Sequence, residues 1–336
     1  MRILIMGGTR FVGVYLTKVL VEMGHEVVLF NRGNKPAPLP GVQQIHGDRK
    51  DPNQLKEMLS SQEFDGIFDN NARELSDTQP LVEIFKDRVQ HFVYMSSAGV
   101  YLKSDQLPHL EGDPVDPNSR HKGKHHTEAY LQELGVPFTA IRPTYIYGPQ
   151  NYNDVEAWFF DRIVRDRTIP IPGNGMHITQ LGHCQDLARA MAAVLGNPEA
   201  IGKIYNVSGE RYVTFDGLAR TCAMACGKSA SEVKLVHYDP KQFDFGKRKA
   251  FPFRLQHFFA DIHKAKTELN WQPEYDLLSG LKDSFEKDYL ASGRDQADVD
   301  FAVDDQILAV DTPRSKDTGI LQSMTQLAEP GRNQEQ

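Results

Sequence analysis

An α/β fold of Rossmann type, a doubly wound parallel sheet with a smaller C-terminal α/β substrate lobe, is predicted by three observations. The chain opens with strand, glycine turn and helix. Short apolar runs then recur, each ending on polar residues. The 336 residues, 40% hydrophobic, can bury one such sheet and a smaller lobe. The first run, Arg2-Ile3-Leu4-Ile5-Met6, is continuously apolar after its first residue, as a parallel strand covered on both faces must be. Gly7-Gly8-Thr9-Arg10-Phe11-Val12-Gly13 and an apolar-periodic stretch through Val19, Leu20 and Met23 follow. Val27-Val28-Leu29-Phe30 closes a unit of about thirty residues, the size expected for strand-helix-strand.

A glycine-rich turn at the start of a helix lets backbone N–H groups face a phosphate. Gly7, Gly8, Thr9, Arg10 and Gly13 are therefore expected to bind a dinucleotide. Arg10 could lay its guanidinium along the phosphates or fill the groove and exclude them. After the second strand, Asn31-Arg32-Gly33-Asn34-Lys35 offers two cations and no acid. That favours a 2'-phosphate, hence NADP over NAD, with Asn31 and Arg32 as contacts; a nucleic-acid phosphate or a solvated turn would suit the same residues.

Further strands end at Gly47-Asp48, at Asp69-Asn70-Asn71 and at Ser96-Ser97. Carboxyl ends of parallel strands line the ligand crevice, so Asp48 is expected at the cofactor and Asp69, Asn71 and Ser97 at a catalytic centre. Asp and Asn also form turns at strand ends without any ligand. Expected domains are 1–150, the dinucleotide-binding sheet; 151–290, the smaller lobe; and 291–336, a flexible tail rich in Pro, Ser, Gln and Glu, with a short helix allowed around Ile320 to Leu327.

The net charge of −7 argues against wholesale attraction to nucleic acid, so any RNA contact needs a local basic surface. The three cysteines, Cys184, Cys222 and Cys226, lack zinc-type spacing and read as core residues in a reducing compartment. No apolar run of about eighteen residues occurs and no signal segment precedes the first strand, so a soluble, cytoplasmic protein without membrane partners is expected.

Ser96-Ser97-Ala98-Gly99-Val100-Tyr101, Arg142-Pro143-Thr144-Tyr145-Ile146-Tyr147-Gly148-Pro149, His183 with Asp186, Tyr205-Asn206-Val207 and Trp271-Gln272-Pro273 follow in order. With them the chain resembles the extended short-chain dehydrogenase/reductase superfamily, in its nucleotide-sugar epimerase/dehydratase-like branch. The resemblance implies a catalytic tyrosine four residues before a lysine that lowers its pKa. Lys124 takes the lysine place, and Arg120 stands where the tyrosine belongs. A guanidinium cannot cycle a proton near neutrality, so ordinary dehydrogenase chemistry is expected to be lost. Thr179 stands where that branch has an arginine clamping the substrate pyrophosphate.

Ser119-Arg120-His121-Lys122-Gly123-Lys124, Tyr212-Val213-Thr214-Phe215-Asp216-Gly217 and the stretch from Phe243 to Arg254 are similar to the chloroplast stem-loop binding proteins, atypical members of that superfamily. Their likeness implies RNA binding, RNA stabilisation and metal-dependent endoribonuclease activity, in a cyanobacterial-type relative or a processed form. Arg120 and Lys122, and Lys247, Arg248 and Lys249 amid Phe243, Phe245, Phe251 and Phe253, have the cations and rings an RNA surface needs. Those phenylalanines could equally be core anchors. Cleavage would use Mg2+ held around Asp69 with Asn70 or Asn71, with the metal's remaining ligands unidentified. The main expectation is thus an RNA-binding protein with a retained NAD(P)-type site, alone, as a homo-oligomer or in a ribonucleoprotein. The alternative is an NAD(P)-dependent nucleotide-sugar epimerase or dehydratase.

Overall fold

The computed structural model describes residues 1–310, which divide into two units. The first takes Met1–Tyr152, Gln180–Tyr212 and Phe258–Asp276. Its strands are β1 (Arg2–Met6), β2 (Glu26–Asn31), β3 (Gln43–His46), β4 (Gly66–Asp69), β5 (His91–Met95), β6 (Phe138–Pro143) and β7 (Lys203–Val207), and its helices include α1 (Val12–Glu22), α2 (Pro52–Leu59), α3 (Leu75–Phe85) and α4 (Lys122–Glu133). All seven strands are parallel, in the order β7-β6-β5-β4-β1-β2-β3. The order reverses beside β1, and carboxyl ends flanking such a reversal leave a crevice for a ligand.

Alternation along the strands explains why they read as unbroken apolar runs. Ile3 and Ile5 of β1, with Val27 and Leu29 of β2, enter one core beneath α1 and the helix Cys184–Val194. Leu4, Met6, Val28 and Phe30 enter a second core with Leu55 and Leu59 of α2, Leu81, Val82 and Phe85 of α3, and Leu131 of α4. Each face is covered, so neither set of side chains can be polar.

The second unit takes Asn153–Thr179, Val213–His257 and the chain from Leu277 on. Ile169–Pro172 and Leu235–Tyr238 pair in parallel, and Ile178–Thr179 pairs antiparallel with Val213–Thr214. Phe251 packs with its ring centroid 4.8 Å from that of Phe215 and 6.0 Å from that of Phe159. The expected Rossmann sheet and smaller α/β lobe are therefore both present, although their segments interleave along the chain. Residues 180–212 return to the first unit because β7 completes the sheet beside β6.

The expected flexible tail from 291 needs correction as far as Val310. The helix Ala302–Leu308 is anchored by buried Asp304, which accepts from Arg162 Nη2 at 2.7 Å, and the Phe301 ring lies beneath the Arg167 guanidinium at 4.2 Å. Residues 311–336, with the helix expected around Ile320, lie outside the described residues. No helix among the described residues is long and apolar enough to cross a membrane.

One buried group gives the first unit a pH dependence. His91, the first residue of β5, is almost fully buried, and its Nε2 lies 2.8 Å from Thr139 Oγ1, which itself donates to the Ala200 carbonyl at 2.6 Å. Thr139 thus accepts from a neutral imidazole, and burial pushes the His91 pKa down to about 4. The neutral ring must charge at low pH, so its stability contribution is complete above about 6.5 and is lost as pH falls to about 4. Urea unfolding should show His91→Gln, which can still donate to Thr139, losing about 3 kcal/mol less than wild type between pH 6.5 and 4. Parallel pH profiles would contradict this.

Candidate dinucleotide site

The turn between β1 and α1 depends on glycine for its backbone conformation and for its close approach to the helix. Gly7 and Gly8 have φ of 109° and 88°, where L side chains are strained. A β-carbon on Gly8 would lie 2.5 Å from Leu29 Cδ2, and one on Gly13 would lie 2.9 Å from both Cα and N of Gly8. The turn therefore lies directly against the first residues of α1, and Thr17 Oγ1, within α1, reaches back to it by donating to the Gly8 carbonyl at 3.3 Å. This narrow glycine-walled cradle, open at a helix start, suits the diphosphate of an NAD-type dinucleotide. Arg10 is exposed, its guanidinium 4.4 Å from the centroid of the Tyr152 ring.

Around the second strand, the expected contacts separate. Asn31 joins the turn: its Nδ2 donates to the Gly7 carbonyl at 3.3 Å, while its Oδ1 accepts from Gly33 N at 2.8 Å. Arg32 is exposed beside it. Asp48 is exposed too, but its Oδ1 accepts from Lys50 N at 3.0 Å, the turn-forming use of an aspartate.

At the end of β4 the expected catalytic carboxylate is already occupied. Asp69 is fully buried; Arg49 grips it with Nη1 at 2.7 Å from Oδ1 and Nη2 at 3.1 Å from Oδ2, and Thr78 Oγ1 donates to Oδ2 at 2.6 Å. Arg49 also donates to Asn71 Oδ1 and to the Asp77 carbonyl. Burial works against the Arg49 charge, but Asp69 outweighs it and holds the pKa above the ordinary value. Asp69 and Asn71 are thus brought together, with Arg49 where a metal ion was expected. Among the described residues no group of three or more His, Cys, Asp or Glu could hold a metal. The expected Mg2+ site and metal-dependent RNA cleavage are corrected accordingly.

Ser97 follows the end of β5, and Lys124 reaches the last residue of that strand. Ser97 Oγ accepts from Gly99 N at 3.0 Å. Lys124, from the first turn of α4, donates Nζ to the Met95 carbonyl and lies 5.2 Å from the Tyr94 ring centroid. Burial pushes the Lys124 ammonium down to about 8, against the opposing charge of Asp69. Neighbouring Tyr101 is committed elsewhere: its hydroxyl donates to Asn206 Oδ1 at 2.7 Å, its ring stacks on His109 at 4.8 Å, and burial raises its pKa to about 12. Arg120 is exposed, and its Nε donates to His121 Nε2 at 3.0 Å.

The basic segments are each at the surface of their own unit. Arg120 and Lys122 are exposed before and at the start of α4, and Lys247, Arg248 and Lys249 are exposed in the second unit, Lys249 Nζ donating to the Pro252 carbonyl at 2.8 Å. The aromatic interleaving divides. Phe251 and Phe253 are core residues, whereas Phe243 and Phe245 are half-buried and stacked on each other at 5.5 Å.

Two residues here escaped the sequence reading, Arg49 and Tyr152. Neither belongs to a motif; the one available hint was that Arg49 directly follows the strand-ending Asp48. Replacing Arg49 by Met leaves Asp69 buried and unpaired, which should cost about 3–5 kcal/mol in chemical denaturation. Adding Asp69→Asn should restore most of that loss, and independent, additive losses would contradict the pairing.

Residues 3–208 match the family model described as "NAD dependent epimerase/dehydratase family". The chain is 52% identical over 322 residues to the chloroplast stem-loop binding protein of 41 kDa b of Arabidopsis thaliana, covering 92% of this chain and 84% of that protein. In fold it is similar to a UDP-glucose 4-epimerase of Thermotoga maritima solved with UDP-glucose (TM-score 0.72, 22% identity, 85% of this chain and 98% of that one). It is also similar to a dTDP-glucose 4,6-dehydratase of Bacillus anthracis solved with NAD (TM-score 0.71, 18% identity, 88% and 98%). The expectation that Arg120 removes the chain from ordinary dehydrogenase chemistry is corrected by the family match, which spans the glycine turn, Ser97 and Lys124 together. The chain belongs to the NAD dependent epimerase/dehydratase family.

Proposed function

We propose that this protein is an NAD(P)-dependent enzyme acting on a nucleotide-linked sugar by epimerase- or dehydratase-type chemistry. The observation that carries the reading is the glycine cradle, in which Gly13 allows no β-carbon beside Gly8. A bound nicotinamide supplies reversible hydride transfer, the chemistry such sugar conversions need. Gly7, Gly8, Thr9 and Gly13 would hold the diphosphate, and Asn31 would set the edge of the ribose site. Exposed Arg32, with no acid in its segment, supports NADP over NAD. Asp48, bonded into its own turn, is left as a peripheral contact at most.

Ser97 and Lys124 are the reacting-end residues in this reading. With its pKa near 8, Lys124 can exchange a proton close to neutrality, which the Arg120 guanidinium cannot. A neutral amine accepts protons, so substrate oxidation should rise with pH through about 8. Nicotinamide absorbance, followed with a panel of UDP- and dTDP-sugars, should show turnover with that profile, and Lys124→Met should lower it by about 100-fold or more. Absence of any absorbance change across the panel, or a profile unaltered in Lys124→Met, would contradict the assignment. Cys222 and Cys226 carry free thiols, which supports a reducing, cytoplasmic setting.

A second reading, RNA binding, is favoured by the similarity to the stem-loop binding protein of Arabidopsis and by exposed Arg120, Lys122, Lys247 and Arg248. It supports a role alone, as a homo-oligomer or in a ribonucleoprotein. Purified protein should retard a stem-loop RNA at low ionic strength, less so as salt rises, and Lys247→Ala with Arg248→Ala should weaken the shift. Salt-independent retardation, or none, would dismiss this reading.

A further inference from the structure

The arginine inside the glycine turn has an aromatic partner that fixes where its charge rests. Arg10 occupies a locked piece of backbone: its carbonyl accepts from Gly13 N at 3.0 Å, and Phe11 beside it has a φ of 49° and accepts from Val14 N at 3.0 Å. Phe11 is buried and meets the Tyr152 ring edge-on, with centroids 5.9 Å apart. Freedom at Arg10 is therefore confined to the side chain, whose guanidinium lies 4.4 Å from the centroid of the same ring. Tyr152 is 51% exposed, so the ring holds the cation at the protein surface next to the turn without burying it.

An exposed cation–π contact is weak compared with charge-assisted hydrogen bonds to a phosphate. Arg49, which bonds Asn71 beside Gly7, is already committed to Asp69, whereas Arg10 belongs to the turn itself. We propose that Arg10 is the dinucleotide's diphosphate-binding side chain and that Tyr152 is the positioning residue that holds its guanidinium beside the turn before the ligand arrives. This inference rests on the NAD(P)-binding reading above. In this account the arginine, in place of a smaller residue, adds charge at the turn, and the Tyr152 ring keeps its side chain out of the cradle until a phosphate draws it in.

The test is calorimetric titration of the full chain with NADP+, and separately with inorganic pyrophosphate. It compares wild type, Arg10→Met, Tyr152→Phe, Tyr152→Ala and the Arg10→Met/Tyr152→Ala pair, with melting temperatures checking that each is folded. Arg10→Met should weaken both ligands by about tenfold. Tyr152→Ala should weaken them by about threefold and Tyr152→Phe hardly at all, because the ring face is what the cation uses. The double variant should bind no more weakly than Arg10→Met, since Tyr152 acts only through Arg10. Unchanged or tighter binding in Arg10→Met would overturn the inference while leaving NADP+ binding intact, and additive losses would remove Tyr152's positioning role. Wild-type protein that binds neither ligand would end both this inference and the reading beneath it.

Discussion

At the turn after β1 the governing constraint is a close approach of two backbones. Gly13, in the first turn of α1, faces Gly8 with no room for a β-carbon, and Gly8 in turn faces Leu29 of β2. That contact sets how closely α1 can approach the end of β1, and with it the aim of the helix's first N–H groups. The sheet order reverses beside the same strand, so the crevice between β1 and β4 opens where the helix points. The two cores that hold the sheet depend on the same geometry, since strict alternation along β1 and β2 feeds one core under α1 and another under α2, α3 and α4.

Charge around the crevice is arranged by burial. Asp69 lies at the strand end where an open parallel sheet presents ligand-binding residues, but its carboxylate is spent on Arg49 and Thr78. The desolvation cost of such a buried pair offsets much of its attraction, so its net contribution to stability is small although breaking it by removing one partner is costly. Lys124 is different. Among the described residues it has no ion-pair partner; it donates to a backbone carbonyl, and burial lowers its pKa to about 8. The end of β5 thus carries a buried, depressed ammonium, while the carboxylate at the end of β4 is held in an ion pair.

The sequence made the sheet legible because each strand is covered on both faces and the glycine turn follows its strand at once. Asn31 could be placed beside the turn for the same reason: it ends the adjacent strand. Asp69 was misjudged because its partners, Arg49 and Thr78, come from other elements, and no local pattern announces a pairing across the sheet. Composition could not separate Phe251 and Phe253, which are core, from Phe243 and Phe245, which stack half-exposed, because all four sit in one basic segment. Interleaving of the two units was hidden for a related reason: β7 is a short strand whose partner, β6, lies some sixty residues earlier.

The missing phenol at Arg120 is a local change inside a framework that is otherwise retained, and the glycine cradle is where that framework can be questioned most directly. Hydrogen–deuterium exchange of the full chain with and without NADP+ reports on that turn. NADP+ should slow exchange selectively across Gly7 to Val14 and at the end of β2, with the second unit's basic segment, Lys241 to Arg254, unaffected. Exchange at the turn that is indifferent to saturating NADP+ and NAD+ would contradict it.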